Sequence, residues 1–311
     1  MAQAVVANQA GLPLKLDPRR RRKEAFMKNF LRSAAVFTFL VSVAIVATIL
    51  FDGLDFFFEV DKSKLLDIGW FPRRGLFDIP TLLIGTFLVS AIAMLVAVPL
   101  GLGAAIYLSE YANPKLRRSI KPILEILAGI PSVVLGYFAI SWINPQLVQN
   151  FFDEAGVFNL TAAGLAVGVL LIPLMASVSE DAMRAVPMSL REASYGLGAR
   201  RVTTSLRVVF PAAISGIVAA FILALSRAIG ETMIVAIAAG ATGGGLRSWD
   251  PLQPGQTMTA AMAALGAGSD QVAGDNLAFN SLYFVGLLLF FLTLALNVVG
   301  ERFVRKVREI Y

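Results

Sequence analysis

Two ionisable residues sit where the chain has little reason to carry charge. The stretch "SRAIGETMIVAIAAG", Ser226 to Gly240, belongs to an apolar run that opens after Pro211, yet it holds Arg227 and Glu231 four positions apart. Arg227 lies 16 residues beyond Pro211, about 24 Å along a helix that rises 1.5 Å per residue. A lone charge at the bilayer centre costs about 2.5–3.5 kcal/mol on insertion scales, so such groups face a bundle interior or an aqueous path. On an unbroken helix the i, i+4 spacing puts both on one face, where they can pair. A planar guanidinium fork suits an oxyanion such as phosphate or sulfate, to which it donates two parallel hydrogen bonds. The glutamate would keep a passing anion from binding too tightly, and Gly230 leaves the backbone open beside them. Three readings follow: a station on a translocation path, a structural ion pair locking helices together, or a pair at the membrane interface.

A second candidate for the path is "LAGIPSVVLGYF", where Gly129, Pro131 and Ser132 interrupt an apolar span. Backbone N–H groups freed there and the Ser132 hydroxyl could meet an oxyanion, because broken helices are tolerated where they line a cavity or are satisfied by neighbours. "AVPLGLGAAI" and "LLIPLMAS" carry similar breakers, Pro99, Gly101, Gly103 and Pro173. Taken singly, helix packing explains each of these as well.

Other chemistry is excluded by composition. The chain has no Cys and no His, which removes disulfides, Cys-ligated zinc, the usual general base and the commonest metal ligand. A membrane-embedded enzyme is therefore disfavoured. Of 311 residues 57% are hydrophobic and 15% charged, with the apolar ones in long runs, which describes a polytopic membrane protein. The net charge of +6 flanks apolar spans instead of forming a basic face on a soluble domain, so it serves orientation and no nucleic acid is expected as partner.

Six segments are long enough to cross the bilayer as helices: 29–51, 80–108, 120–142, 161–179, 212–239 and 278–300. The first is too long, behind too long a basic region, for a cleaved signal peptide. Of the 27 Lys and Arg, 21 lie in the N-terminal stretch up to Arg32, in 109–121, in 180–210 and after the last span. That asymmetry predicts both termini in the cytoplasm. The expected layout is a basic cytoplasmic tail over 1–28, flexible to about Lys23, whose Arg run serves as a topogenic signal or meets anionic lipid, then the first span, an extracytoplasmic segment 52–79, a five-helix core over 80–300, and a cytoplasmic tail 301–311. The segment 52–79 mixes aromatics with both charge signs, which suits the membrane surface with Trp70 as an interfacial anchor, or an ordinary outer loop.

The cytoplasmic loop "EDAMRAVPMSLREASYGLGARRVTTSLRVVF", 180–210, is too ordered for a connector. Asp181 to Tyr195 favours helix, Gly196 and Gly198 allow a sharp turn, and Ala199 to Phe210 resumes a helical pattern. Its "EASYGLGARRVTTSLRVVFP" resembles the EAA loop of ABC importer permeases: Glu192, Ala193, Gly198 six residues on, and Pro211 closing the motif. Ser194 stands for the second alanine, and Val208 and Phe210 stand where Ile and Leu are usual. The resemblance implies an all-α type I importer permease in which this loop docks on an ATPase subunit. The chain has no G-x-x-x-x-G-K-[ST], since "GATGGGLRS" lacks the lysine; it binds no cofactor itself, and ATP is used by the partner.

Read together, "LLIGTFLVSAIAMLVAVPLGLGAAIYLSEY", "LAGIPSVVLGYFAI", the EAA loop and "SRAIGETMIVAIAAG" resemble permeases of phosphate-specific ABC importers over about 80–300. "MIVAIAAG" after the shared "RAIGET" is closer to the PstC type than to the PstA type. The resemblance implies a bacterial inner-membrane location and three partners: a PstB-like ATPase, a PstA-like sister permease and an extracytoplasmic PstS-like phosphate-binding protein. It also implies a role for Arg227 and Glu231 in phosphate passage. Alternatives are an importer for molybdate or sulfate and, against the EAA-like loop, an ATP-independent carrier.

Overall fold

The computed structural model describes residues 18–240, 244–267 and 276–307; the basic tail expected before Pro18 and the chain after Val307 lie outside them. The chain divides into two compact units, Met1–Phe51 and Asp52–Tyr311. Helix α1 runs Pro18–Glu59, so helix replaces the flexible tail that was expected to reach Lys23. Pro18 opens it, where proline's fixed φ and missing N–H cost nothing, and Arg, Lys, Glu and Ala all favour helix. In the first unit its apolar side chains, Phe26, Phe30, Phe37, Phe39 and Leu40 among them, are exposed. Ser33, Thr38, Ser42 and Thr48 turn their hydroxyls back to carbonyls three or four residues earlier, at 2.8–3.0 Å. Such a helix hides its few polar groups from lipid.

The second unit is built on α2 (Ile79–Tyr111), α3 (Pro114–Ala128), α4 (Ser132–Phe151), α5 (Leu160–Arg184), α6 (Met188–Gly196), α7 (Arg201–Ala212), α8 (Ile214–Ile229), α9 (Met233–Ala238), α10 (Met258–Gly266) and α11 (Asn276–Val307). Among the described residues four helices are long and apolar enough to cross a membrane, and the count rises to six when two bent pairs are each taken as one span. Those pairs are α3 with α4, bent by 86°, and α7 with α8, bent by 70°. The expected spans 120–142 and 212–239 are thus not straight rods. Pro131 disfavours helix at Ile130 and, with no N–H to give, ends one helix and starts another.

The centre is the packing of α2 on α5. A Cβ on Gly164 would lie 2.8 Å from Ile92, one on Gly168 2.9 Å from Val96, and one on Gly101 2.7 Å from Met175. With no hydrophobic drive between helices inside lipid, small residues bring backbones close enough for dispersion to hold them.

The segment after α1 is not an interfacial strip. Strands β1 (Gly69–Phe71), β2 (Leu76–Phe77) and β3 (Gly245–Leu246) form an antiparallel sheet in the order β2-β1-β3, which with a Gly240–Gly255 bridge departs from the all-helical expectation. Trp70, expected as a membrane anchor, is 1% exposed and packs with Phe56, Phe77, Leu82, Met258 and Phe284. Asp78 accepts from the Thr81 N–H (3.2 Å) and so caps α2. The same carboxylate binds Arg247, whose Nε lies 3.0 Å away and whose guanidinium also reaches the Asp67 carbonyl at 2.6 Å. Hydrogen bonding to Asp78 raises the Arg247 pKa above its ordinary value. The loop before α10 is closed onto α2 at a second point: a Cβ on Gly85 would come 2.3 Å from the Gln256 carbonyl oxygen. Neither backbone can yield there, so Gly85→Ala is expected to cost about 1–3 kcal/mol and lower the thermal transition followed by size-exclusion in detergent. An unchanged transition would contradict this packing.

Candidate functional site: a coupling hairpin and two broken helices

The loop 180–210 folds as a helical hairpin. Helix α5 ends at Arg184 and α6 begins at Met188, so the single stretch expected from Asp181 to Tyr195 is interrupted, because Pro187 cannot continue the ladder. After α6 the chain reverses at Gly198, whose φ is +78°, a left-handed conformation that glycine adopts without a Cβ penalty. The Gly198 N–H donates to the Tyr195 carbonyl (2.9 Å) and the Ala199 N–H to the Ser194 carbonyl (3.1 Å). Ser194 does more than stay small: its hydroxyl lies 2.9 Å from that of Thr204 on α7, clasping the two arms. Glu192 and Ala193 are exposed, and Leu197 at the tip is 90% exposed. Pro211 closes α7 immediately before the bend into α8. The hairpin therefore presents a small, partly apolar knob from a rigid stem.

In the membrane the Arg227 region is broken as well. Helix α8 stops at Ile229 and α9 starts at Met233. Glu231 falls in the break, where its Oε1 accepts from the Ile234 N–H at 3.3 Å and its carbonyl accepts from the Thr259 hydroxyl of α10 at 2.8 Å. This corrects the expected shared face: Gly230 ends the helix, so Glu231 leaves the i, i+4 position and accepts from the first turn of α9 instead of pairing with Arg227. Among the described residues no ion pair or hydrogen bond engages the Arg227 guanidinium, and the side chain is exposed. Its neighbour Ser226 donates to Asn297 Oδ1 of α11 at 3.1 Å, which ties α8 to α11 and leaves Arg227 pointing elsewhere on the helix.

Helix α4 packs on α9. Gly136 of α4 packs on α9 so closely that a Cβ would sit 3.1 Å from Ile237 and 3.2 Å from the Ile234 Cα. A Cβ on Gly129 would meet only the Ile126 carbonyl, and one on Gly230 only the Ser226 and Arg227 carbonyls, so these two glycines do not touch each other. Ser132 begins α4 with Pro131 as its cap, and no side-chain cap satisfies its first turn.

A family model described as the binding-protein-dependent transport system inner membrane component matches residues 97–309. The chain belongs to this family. It is 32% identical to the phosphate transport system permease protein PstC of Pasteurella multocida over 236 residues, 70% of this chain and 73% of that one. It is 35% identical to PstC 1 of Mycobacterium tuberculosis over 246 residues, 73% and 72% of the two chains. To PstC of Xylella fastidiosa strain 9a5c the match is 28% but spans 97% of this chain and 96% of that one. Among solved structures, a bacterial ABC transporter involved in alginate import superposes with TM-score 0.61 at 14% identity over 93% of this chain and all of the other. An inward-facing MetNI methionine transporter gives 0.53 at 23% identity, over 74% and 94%. These two likenesses are of fold alone, and the fold is that of an ABC importer permease.

Within such an inner-membrane permease, three features escaped the sequence. Arg191, next to Glu192, is buried against Glu110, 2.9 Å from Nη2 to Oε1. Arg117 and Lys121 of α3 converge on buried Glu180 at 3.3 and 2.9 Å, and Lys121 also binds Asp181. Asn159 donates to Asn144 at 2.7 Å and caps α5, holding the C-terminal half of α4. Each joins residues 15 to 81 positions apart, a separation that no local spacing rule signals.

Proposed function

We propose that this chain is the PstC-type permease subunit of an ATP-driven importer of inorganic phosphate. The observation that carries the reading is Arg227: a guanidinium without a partner among the described residues, exposed on a membrane span one turn before a helix break. An unpaired arginine at membrane depth is a functional group by default, and a bidentate fork matches a tetrahedral oxyanion. The PstC relatives support phosphate as that oxyanion. Glu231, Gly230, Gly129, Pro131 and Ser132 complete the lining, with Glu231 shaping the path through its hydrogen bond from the Ile234 N–H at the start of α9.

Transport follows an alternating-access cycle. Closure of a paired ATPase on ATP pulls the hairpin around Glu192, Ala193, Ser194, Gly198 and Pro211. The pull tilts α5 and α8, and the path opens outward to a loaded binding protein. Phosphate then passes Arg227, where the charge lowers its desolvation cost. The assembly comprises a PstB-like ATPase, a PstA-like sister permease and a PstS-like binding protein. Both termini lie in the cytoplasm, and the sheet with its Asp78–Arg247 clasp faces outward. ATP hydrolysis belongs to the ATPase, since this chain has no phosphate-cradling loop.

Labelled phosphate uptake in a strain lacking this chain, with and without its restoration, tests the reading. Restored uptake that excess unlabelled phosphate suppresses and sulfate or molybdate does not is expected. Suppression by sulfate or molybdate, or no restoration, would overturn it.

A further inference from the structure

We propose that Arg191 is a positioning residue that transmits the ATPase stroke to helix α2, with Glu110 as its receiving group; this rests on the importer reading above. The guanidinium gathers three elements at one point. Its Nη2 donates to Glu110 Oε1 and to the Met183 carbonyl, both at 2.9 Å, and its Nη1 donates to the Val186 carbonyl at 2.7 Å. Met183 lies in the last turns of α5, its carbonyl also accepting from the Val186 N–H at 3.3 Å, and Val186 lies just past the helix end, where carbonyls need donors, while Arg191 itself rides on α6. Arg191 is 8% exposed and Glu110 6%. The pair is thus a desolvated, directional link, unlike a surface ion pair that water can replace.

The other arm of the hairpin reaches the same place. Arg201 at the start of α7 lies over the Tyr111 ring, 5.4 Å from its centroid. Glu110 and Tyr111 both belong to the wide π-type turn Tyr107–Tyr111 that ends α2. Such turns interrupt regular helical hydrogen bonding and often mark functional positions. Both arms of the knob are therefore fastened to one turn of one membrane helix, and α2 is the helix packed along α5 at the centre of the bundle. Displacement of the knob moves α2 only while that fastening holds.

The test uses the complete complex in liposomes, permease pair, ATPase and phosphate-binding protein, measuring phosphate transported per ATP hydrolysed. Glu110→Gln keeps the shape and removes the charge, and Arg191→Lys keeps the charge and removes the fork. Both are expected to assemble and to hydrolyse ATP while transport per ATP falls about tenfold, within the usual range of coupling between sites. A group that merely stabilised the fold would lower assembly, ATPase and transport together and leave that ratio unchanged. A Glu110→Gln complex with a ratio within twofold of the unaltered one overturns the inference, and so does failure of both variants to assemble. If the unaltered complex moves another oxyanion instead of phosphate, the substrate reading fails, and the same ratio measured with that oxyanion still decides the role of Arg191.

Discussion

Arg227→Gln abolishes phosphate uptake while the complex still assembles. The side chain is exposed on α8 and engages no partner among the described residues, so its replacement opens no cavity and orphans no buried acceptor, the usual sources of large stability losses. What changes is charge. A glutamine can still donate one hydrogen bond to an oxyanion but offers neither the second parallel bond nor the positive charge that offsets dehydration. Initial uptake is expected to fall on the order of 100-fold, about 2.7 kcal/mol in barrier. The measurement pairs initial uptake rates in a strain lacking the native chain with the amount of assembled complex recovered from its membranes. Uptake within twofold of the unaltered chain at equal complex amount would remove Arg227 from the path.

The contrast between Arg227 and Glu231 shows what the sequence could carry. That a charge sits at membrane depth was legible, because composition around it is apolar and the cost of burial is general. That the two charges do not share a face was not, because it depends on where α8 stops, and one glycine inside an apolar run does not say whether a helix ends or continues. The same applies to the hairpin. Gly198 and the EAA-like spacing marked the turn, and the structure supplies the φ of +78° that the turn needs. Arg191 gave no local signal, since its partner Glu110 is 81 positions away. Trp70 misled in a different way: an aromatic among charges outside a span reads as an interfacial anchor, but a sheet closed by residues 245–246 buries it. Hydropathy fixes which segments are apolar, whereas sheet pairing over that distance is a tertiary fact.

Gly198→Pro is expected to separate nucleotide hydrolysis from transport. Proline holds φ near −65°, opposite in sign to the +78° of Gly198, and it lacks the N–H that donates to the Tyr195 carbonyl at 2.9 Å. A Cβ there meets open space, so the effect comes from the backbone and not from crowding, and the membrane bundle is expected to fold normally. The reversal between α6 and α7 must then open, which pulls Ser194 from Thr204 and swings Leu197 away from the tip. The predicted result is a permease of normal thermal stability that no longer retains the ATPase on purification, or retains it with ATP hydrolysis unresponsive to loaded binding protein, and in either case with uptake reduced by on the order of 100-fold. Gly198→Ala is a graded control, since alanine at positive φ costs about 1 kcal/mol but keeps the N–H, and it should lose far less. A Gly198→Pro complex that stays intact and is stimulated like the unaltered one would show that the ATPase is gripped elsewhere on the cytoplasmic face.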